Sequence, residues 1–458
     1  MKSSKAQIHA RVHRLPELRF EDQRLTSHAG LVLLQALFRR IGLHDQLQRC
    51  FAHLSKGFIV GLPKVTMILV VHLMLGYRRL RDLDRYRDDP LVKRCLGLRR
   101  MPHVSTMSRA LMRADRIAVA KVQQLNRNLV LDRLQRESLG RVTLDFDGSV
   151  ISSGRYAEGL AVGYNAKKKG QRSYYPLFAT VAQTGQVLDV LHRSGNVHDS
   201  HGALTFMRDC VEALRERLPG VTVESRKDAA FFGDEIVGFL GRAGVEFTIS
   251  VPFERFPQLK ELIESRRRWR RLDGEWDYFE TSWAPGCWTR QYRVLLLRHR
   301  VRTLNREPIQ LELFVPHAPG YEYKAVITNK TGLAKRILLF HNGRGTQESL
   351  FSELKGQCQM DYVPTRRLAG NQLYFLSALV AHNLFREMEM LRNGVYRSTT
   401  AKRATLWVFQ EAATIRQQLI FRAGRLTRPQ GRLCLTMSGN EVVRRDFLDY
   451  LEPLKRAS

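Results

Sequence analysis

Between residues 27 and 135, apolar side chains recur every three or four positions, as in "AGLVLLQALFRRIGLHDQLQRCF", "LMLGYRRLRDLDRYR" and "STMSRALMRADRIAVAKVQQL". That period predicts helices with one buried stripe each. The most apolar run, "VTMILVVHLMLGY" (65 to 77), contains His72 and is too short to span a bilayer, so it reads as a buried helix. Ser105 or Thr106 can cap an Arg-rich helix. "LGLRRMPHVSTMSRALMR" accordingly reads equally as a turn leading into a DNA-contacting helix or as a helical hairpin with solvated arginines.

From 140 the period falls to two. "RVTLDFDGSV", "YYPLFATVA" (174 to 182) and "VLDVLHRSG" (187 to 195) predict three consecutive strands. Helix ("HGALTFMRDCVEALRERL"), strand ("VTVESRKD", 221 to 228), helix ("AAFFGDEIVGFLGRAG") and strand ("VEFTISVP") follow. Three antiparallel-capable strands and then alternating helix and strand is the order of an α/β, ribonuclease-H-like fold. Residues 253 to 332 interrupt it with β-rich segments, "EWDYFETSW", "TRQYRVLLLRHRV", "IQLELFVPH" and "EYKAVITN", and hold Trp276, Trp283 and Trp288. Helix is expected again from about 346, through "TQESLFSELKGQC" and "QLYFLSALVAHNLFREMEML", and in a basic tail from 396 to 458. The expected divisions are a helical region (1–135), the first part of a catalytic core (136–252), a β-rich insertion (253–332), the second part of the core (333–392) and a basic helical C-terminal region (393–458).

Charge changes the picture more than overall composition does. Lys plus Arg total 75 against 44 Asp plus Glu, a formal +31. Such an excess repels itself unless a polyanion is near, which points to nucleic acid. Six scattered cysteines with no CxxC argue against a zinc ribbon or disulfide scaffold and fit a reducing cytoplasm. The first twenty residues lack the apolar core of a signal peptide, so a soluble cytoplasmic protein without a membrane partner is expected. No GxxxxGK[ST] loop occurs, so no nucleotide cofactor is expected.

Candidate chemistry begins at "LDFDGSV" (144 to 150). On a strand, Thr143, Asp145 and Asp147 share one face, and two acids side by side are costly unless a cation lies between them. Asp147, last before the turn at Gly148, is the better placed for a metal; Asp145 lies deeper and can be a second ligand or a structural acid. Asp228 ends a strand just before a helix, where it suits either a ligand or an N-cap. In "HNGRGTQESLFSELK" (341 to 355), Arg344, Glu348 and Lys355 fall within about 40° of one another on a helical stripe that starts at His341, with Glu353 across the helix. Such a face suits a Glu that holds a divalent cation beside bases that grip phosphates; its plainer reading is a solvated stripe with an Arg344–Glu348 ion pair. A phosphatase loop with Asp145 as nucleophile needs a late acidic pair after a strand. "GDE" (233 to 235) sits in a helical pattern instead.

The spacing His341-x2-Arg344-x3-Glu348-x6-Lys355 resembles the Y-x2-R-x3-E-x6-K motif of DDE transposases of bacterial insertion sequences, with His for Tyr. "TLDFDGSV", "GYNAKKKGQRSYYPLFATVAQTGQVL", "SGNVHDSHGA", "SRKDAAFF" and "RGTQESLFSELK" resemble, in order, the motifs of the branch called transposase DDE domain group 1. The resemblance implies a catalytic and metal-binding triad of Asp147, Asp228 and Glu348, with Asp145 a rival for the first place and His341, Arg344 and Lys355 positioning the phosphate. It also implies two Mg²⁺ ions (Mn²⁺ tolerated), cleavage of transposon ends followed by strand transfer, and inverted repeats read by residues 1–135. Double-stranded end and target DNA held by a homodimer, in the bacterial nucleoid, is expected. The rival function is a non-catalytic end-binding protein or repressor derived from an inactive element.

Two basic stretches are candidate DNA contacts or solvated segments. "NAKKKGQR" offers Lys167, Lys168, Lys169 and Arg172, and "RRRWRR" offers Arg266, Arg267 and Arg268 around Trp269, suited to gripping a backbone while a ring stacks on a base. In "GNVHDSHG", Asp199 or Ser200 is expected to cap a helix, in preference to a metal site with His198 and His201.

Overall fold

The structure is a computed structural model that describes residues 15–54, 60–163, 165, 168–300, 321–396 and 400–455. Lys167 and the "IQLELFVPH" segment lie outside the described residues. The N-terminal apolar periodicity forms helices, among them α1 (Leu31–Arg40), α2 (Leu62–Met74), α3 (Val104–Leu111) and α4 (Arg116–Glu137). In α2 eleven of the thirteen residues are buried, His72 included, which is why its pattern is apolar all round.

The strands are β1 (Arg141–Gly148), β2 (Leu177–Val181), β3 (Gln186–Leu191), β4 (Thr222–Lys227) and β5 (Glu246–Val251), with α5 (Ala203–Arg217) before β4 and α6 (Asp234–Arg242) before β5. Across the sheet they run β3-β2-β1-β4-β5. β2 is antiparallel to β1 and β3, whereas β1, β4 and β5 are parallel. That order and those directions are the ribonuclease-H-like arrangement. The β-rich segment continues the same sheet outward from β5. β6 (Trp276–Trp283), β7 (Tyr292–Arg300) and β8 (Tyr321–Thr328) add antiparallel neighbours in the order β6-β7-β8-β5, and Arg270–Arg271 finishes the edge.

Both faces of the central strands are covered. Val142, Leu144 and Phe146 face a core shared with Phe206 and Met207 of α5 and Ile236 and Val237 of α6. Phe178, Val187 and Val190 face a second core with α8 (Thr346–Gly356) and α9 (Leu368–Arg392). Helix α9 is buried on every side; it packs on α2, α4, β3 and α10 (Glu441–Lys455) and so joins the helical region to the sheet. Its polar residues are paired: Asn383 caps the Val187 amide, and Glu387 takes the Arg133 guanidinium.

The C-terminal tail is only partly helical. Gly424–Thr427 and Cys434–Met437 form a hairpin that pairs with Leu25–Thr26, nearly four hundred positions earlier. Four-residue strands leave no readable period, and their partner is distant in sequence.

Candidate active site

β1 brings two acids to one face, and its neighbours treat them differently. Asp145 is 1% exposed. The parallel register sets it opposite Arg226 of β4, whose Nε donates to Oδ1 at 2.7 Å and whose Nη2 donates to Oδ2. The same guanidinium donates through Nη1 to the carbonyls of Phe340 and Lys402. Asp145 is thus half of a buried pair that ties β1 and β4 to α7 (Ala334–Asn342). Each of its oxygens thus already accepts from a buried guanidinium.

Asp147 lies where β1 opens. Arg344 Nη1 is 3.7 Å from its Oδ2 and 4.0 Å from Asp228 Oδ2, so one guanidinium faces both acids at ion-pair range, too far for hydrogen bonds. Asp228 follows β4 and accepts from the Ala230 amide at 3.1 Å, which caps the short turn Ala229–Phe231. Burial, and then the charge of Asp228, push the Asp147 carboxyl up to about 7, against the opposing pull of Arg344. Burial raises Asp228 as well. Two carboxyls that resist ionising side by side are poised for a divalent cation.

Arg344 reaches them through a change of helical pitch. α7 does not stop before α8; Gly343–Gly345 is a single 3₁₀ turn between them, so helix begins at Ala334 rather than near 346. The tighter turn also breaks the uniform stripe that a regular helix would carry from His341 to Lys355. His341 faces β5, with Nδ1 3.0 Å from Thr248 Oγ1 and Nε2 3.0 Å from Ser250 Oγ. Burial, and then nearby Arg344 and Arg226, bring its pKa down to about 3, so the ring is neutral, and a phosphate contact requires one of those hydroxyl bonds to break. Lys355 Nζ donates to the Val150 carbonyl at 2.8 Å. Glu348 is on the exposed face of α8. Among the described residues no group of three His, Cys, Asp or Glu side chains is placed to hold a metal. Asp147 and Asp228 therefore meet at Arg344, and Glu348 stands outside that meeting.

Three further side chains border the site without having been singled out for it. Arg193 is buried; its Nη1 donates to the carbonyls of His198, Asp199 and His201, and its guanidinium lies 5.1 Å from the Tyr175 ring centre. The negative charge of Asp199 adds to the upward push on Asp147 and Asp228. Neither Asp199 nor Ser200 caps a helix: α5 begins at Ala203 with Gly202 as its N-cap, at φ +69°. A cap reading of "HDSHG" is a local argument, whereas the carbonyls of His198, Asp199 and His201 are gathered by the Arg193 guanidinium. A Cβ at Gly148 would sit 2.6 Å from Tyr175 Oη and 2.8 Å from Asp199 Oδ1, so a larger residue there must displace those two side chains.

The basic stretches are spread apart. Lys168, Lys169 and Arg172 are exposed on a small sheet of Ile151–Ser152, Ala161–Val162 and Arg172–Tyr174 and the loop leading into it, with Arg172 over the Tyr156 ring. Arg266, Arg267 and Arg268 are exposed too, whereas Trp269 leans on Phe279 and receives Arg298 at 4.6 Å. Trp283 is buried, and Trp288 stacks on Phe232, four residues beyond Asp228.

No match is found among curated proteins. Among solved structures the chain is similar to one described as "Cryo-EM structure of piggyBac transposase synaptic complex with hairpin DNA (SNHP)", at 13% identity and a TM-score of 0.42, over 85% of this chain and 78% of that one. Residues 11–458 match the family described as "Transposase DDE domain group 1", and with nearly the whole length matched the chain belongs to that transposase family.

Proposed function

We propose that the protein cleaves transposon ends in a divalent-metal-dependent reaction and transfers the freed strand into target DNA. The observation that supports this most is the convergence of Asp147 and Asp228, from adjacent parallel strands, on Arg344. Their hard oxygen donors and mutual repulsion suit Mg²⁺ or Mn²⁺, with Glu348 as the third carboxylate after a rearrangement of α8. A pair of such ions, when bound, supplies activation of the attacking oxygen and stabilisation of the leaving one.

The chain's own residues do the rest. Arg344, freed from the two acids, pairs with a non-bridging phosphate oxygen and holds the scissile group in line. Lys355 fixes the Val150 carbonyl and so the turn that follows Asp147. His341 anchors the α7 end to β5. Hydrolysis at an end leaves a 3′-hydroxyl, which displaces a target phosphodiester bond; one P–O bond forms for each broken, and no nucleotide is consumed. Two ends are held together by a homodimer.

A second reading, a DNA-end-binding protein without catalysis, is favoured by one observation, the separation of Glu348 from the other acids. Incubation with Mg²⁺ and duplexes taken from the DNA flanking the reading frame decides between them. Under the first reading the wild type nicks those ends, and Glu348→Gln binds them nearly unchanged but leaves them intact. Binding without nicking by the wild type supports the second.

A further inference from the structure

The small sheet that follows Asp147 forms one wall of a groove of about 610 Å³, and the other wall belongs to the helical region. Arg155 and Lys168 stand on the first wall, Arg79 and Arg81 on the second, and all four are exposed. None of the four forms an ion pair with a carboxylate among the described residues, although the acids of the chain are otherwise well used: Arg78, beside them, is held by Asp361 at 3.0 Å. Arg78 also lies 5.9 Å from the Tyr362 ring centre, which stiffens the floor between the walls.

These four cations line one concave surface whose single lining carboxylate, Asp361, is taken by Arg78, so they raise the local potential and repel one another. An occupant with regularly spaced negative charges relieves that repulsion, and the low-dielectric walls strengthen the attraction. The position of the groove says which part of such an occupant it takes. Ser152, on its wall, is five residues beyond Asp147, so the chain places the two within about 18 Å. One strand of DNA advances about 3.4 Å per nucleotide.

We infer that this groove is a phosphate-binding track for the DNA backbone, engaging phosphates within about five nucleotides of the bond held at Asp147 and Asp228. The inference rests on the reading of that site as the place where DNA reacts. It assigns to the helical region a second task besides reading sequence: Arg79 and Arg81 clamp the reacting strand against the small sheet. Because the contacts are to phosphate, they position the duplex and carry no sequence preference.

The test uses the full chain and a fluorescent duplex from the DNA flanking the reading frame. Affinity is measured over a range of salt for the wild type and for the variant carrying Arg79→Ala, Arg81→Ala, Arg155→Ala and Lys168→Ala. Loss of four phosphate contacts lowers the slope of log K against log[salt] by about 3 to 4. A fall of about two or more supports the track, and a smaller change overturns it. A second measurement leaves the protein untouched: single methylphosphonates are placed along the duplex. Those within about five nucleotides of the cleaved bond should weaken the wild type and leave the variant indifferent; equal sensitivity in both proteins overturns the track. Nicking by the wild type is scored on the same duplex. Nicking with an unchanged salt slope in the variant sinks the groove alone. A reduced slope without wild-type nicking sinks the catalytic reading and leaves the groove standing as a binding surface.

Discussion

Asp145 and Asp147 stand two positions apart on β1, and their surroundings give them opposite energetics. Asp145 balances a buried guanidinium, so Asp145→Asn strands Arg226 and should destabilise the fold by about 3–5 kcal/mol in urea unfolding. Asp147 is buried beside a second acid instead. With its carboxyl raised to about 7 in the fold and 3.8 as its ordinary value, the folded state keeps a proton that the unfolded state has lost between those limits. This group's contribution therefore makes metal-free stability decline as pH rises from about 4 to about 7. Asp147→Asn should remove that decline, so the difference in Tm between variant and wild type grows with pH across this window. A difference that stays constant or shrinks contradicts the assignment. Divalent cations should raise the Tm of the wild type more above pH 7 than below it. The alternation of "LDFDG" shows the shared face of the two acids; which one meets Arg226 depends on the register with β4, where that arginine stands 81 residues further along the chain.

At the scale of elements, the turn Gly343–Gly345 sets the position of Arg344. A Cβ at Gly343 would lie 1.9 Å from Arg226 Nη1 and 2.1 Å from the Lys402 carbonyl oxygen, whereas one at Gly345 meets nothing within 4 Å. Gly343→Ala should cost about 1–3 kcal/mol by overpacking and disturb the Asp145–Arg226 pair behind the site. Gly345→Ala should be near neutral in the same unfolding titration; equal losses at both positions refute the close-approach account. In sequence both glycines look alike, because periodicity reports composition along one segment. It does not report the β4 arginine that fills the space beside one of them. The C-terminal hairpin escaped for a related reason, since its third strand is supplied by Leu25–Thr26.

At the scale of the whole molecule, the large mixed sheet, nine strands among the described residues, and α9 make one scaffold from segments the chain visits at distant times. No helix among the described residues is long and apolar enough to cross a membrane. The excess of positive charge predicts DNA affinity that falls steeply with salt, with log K changing by about −0.9 per phosphate contact against log[salt]; a flat response would remove phosphate contact as the basis of binding. By itself the sequence determined the order of strands and helices in the core, the surplus of cations, and the acids and bases of the motif, because period, charge and spacing are local properties that survive unfolding. The tertiary structure alone decided that Asp145 is neutralised inside the fold, that Arg344 faces Asp147 and Asp228 together, that Glu348 stands apart, and that four arginines and lysines from two regions share a groove. Those are distances between segments far apart in the chain, and strand register and helix packing fix them; no single stretch of sequence contains them.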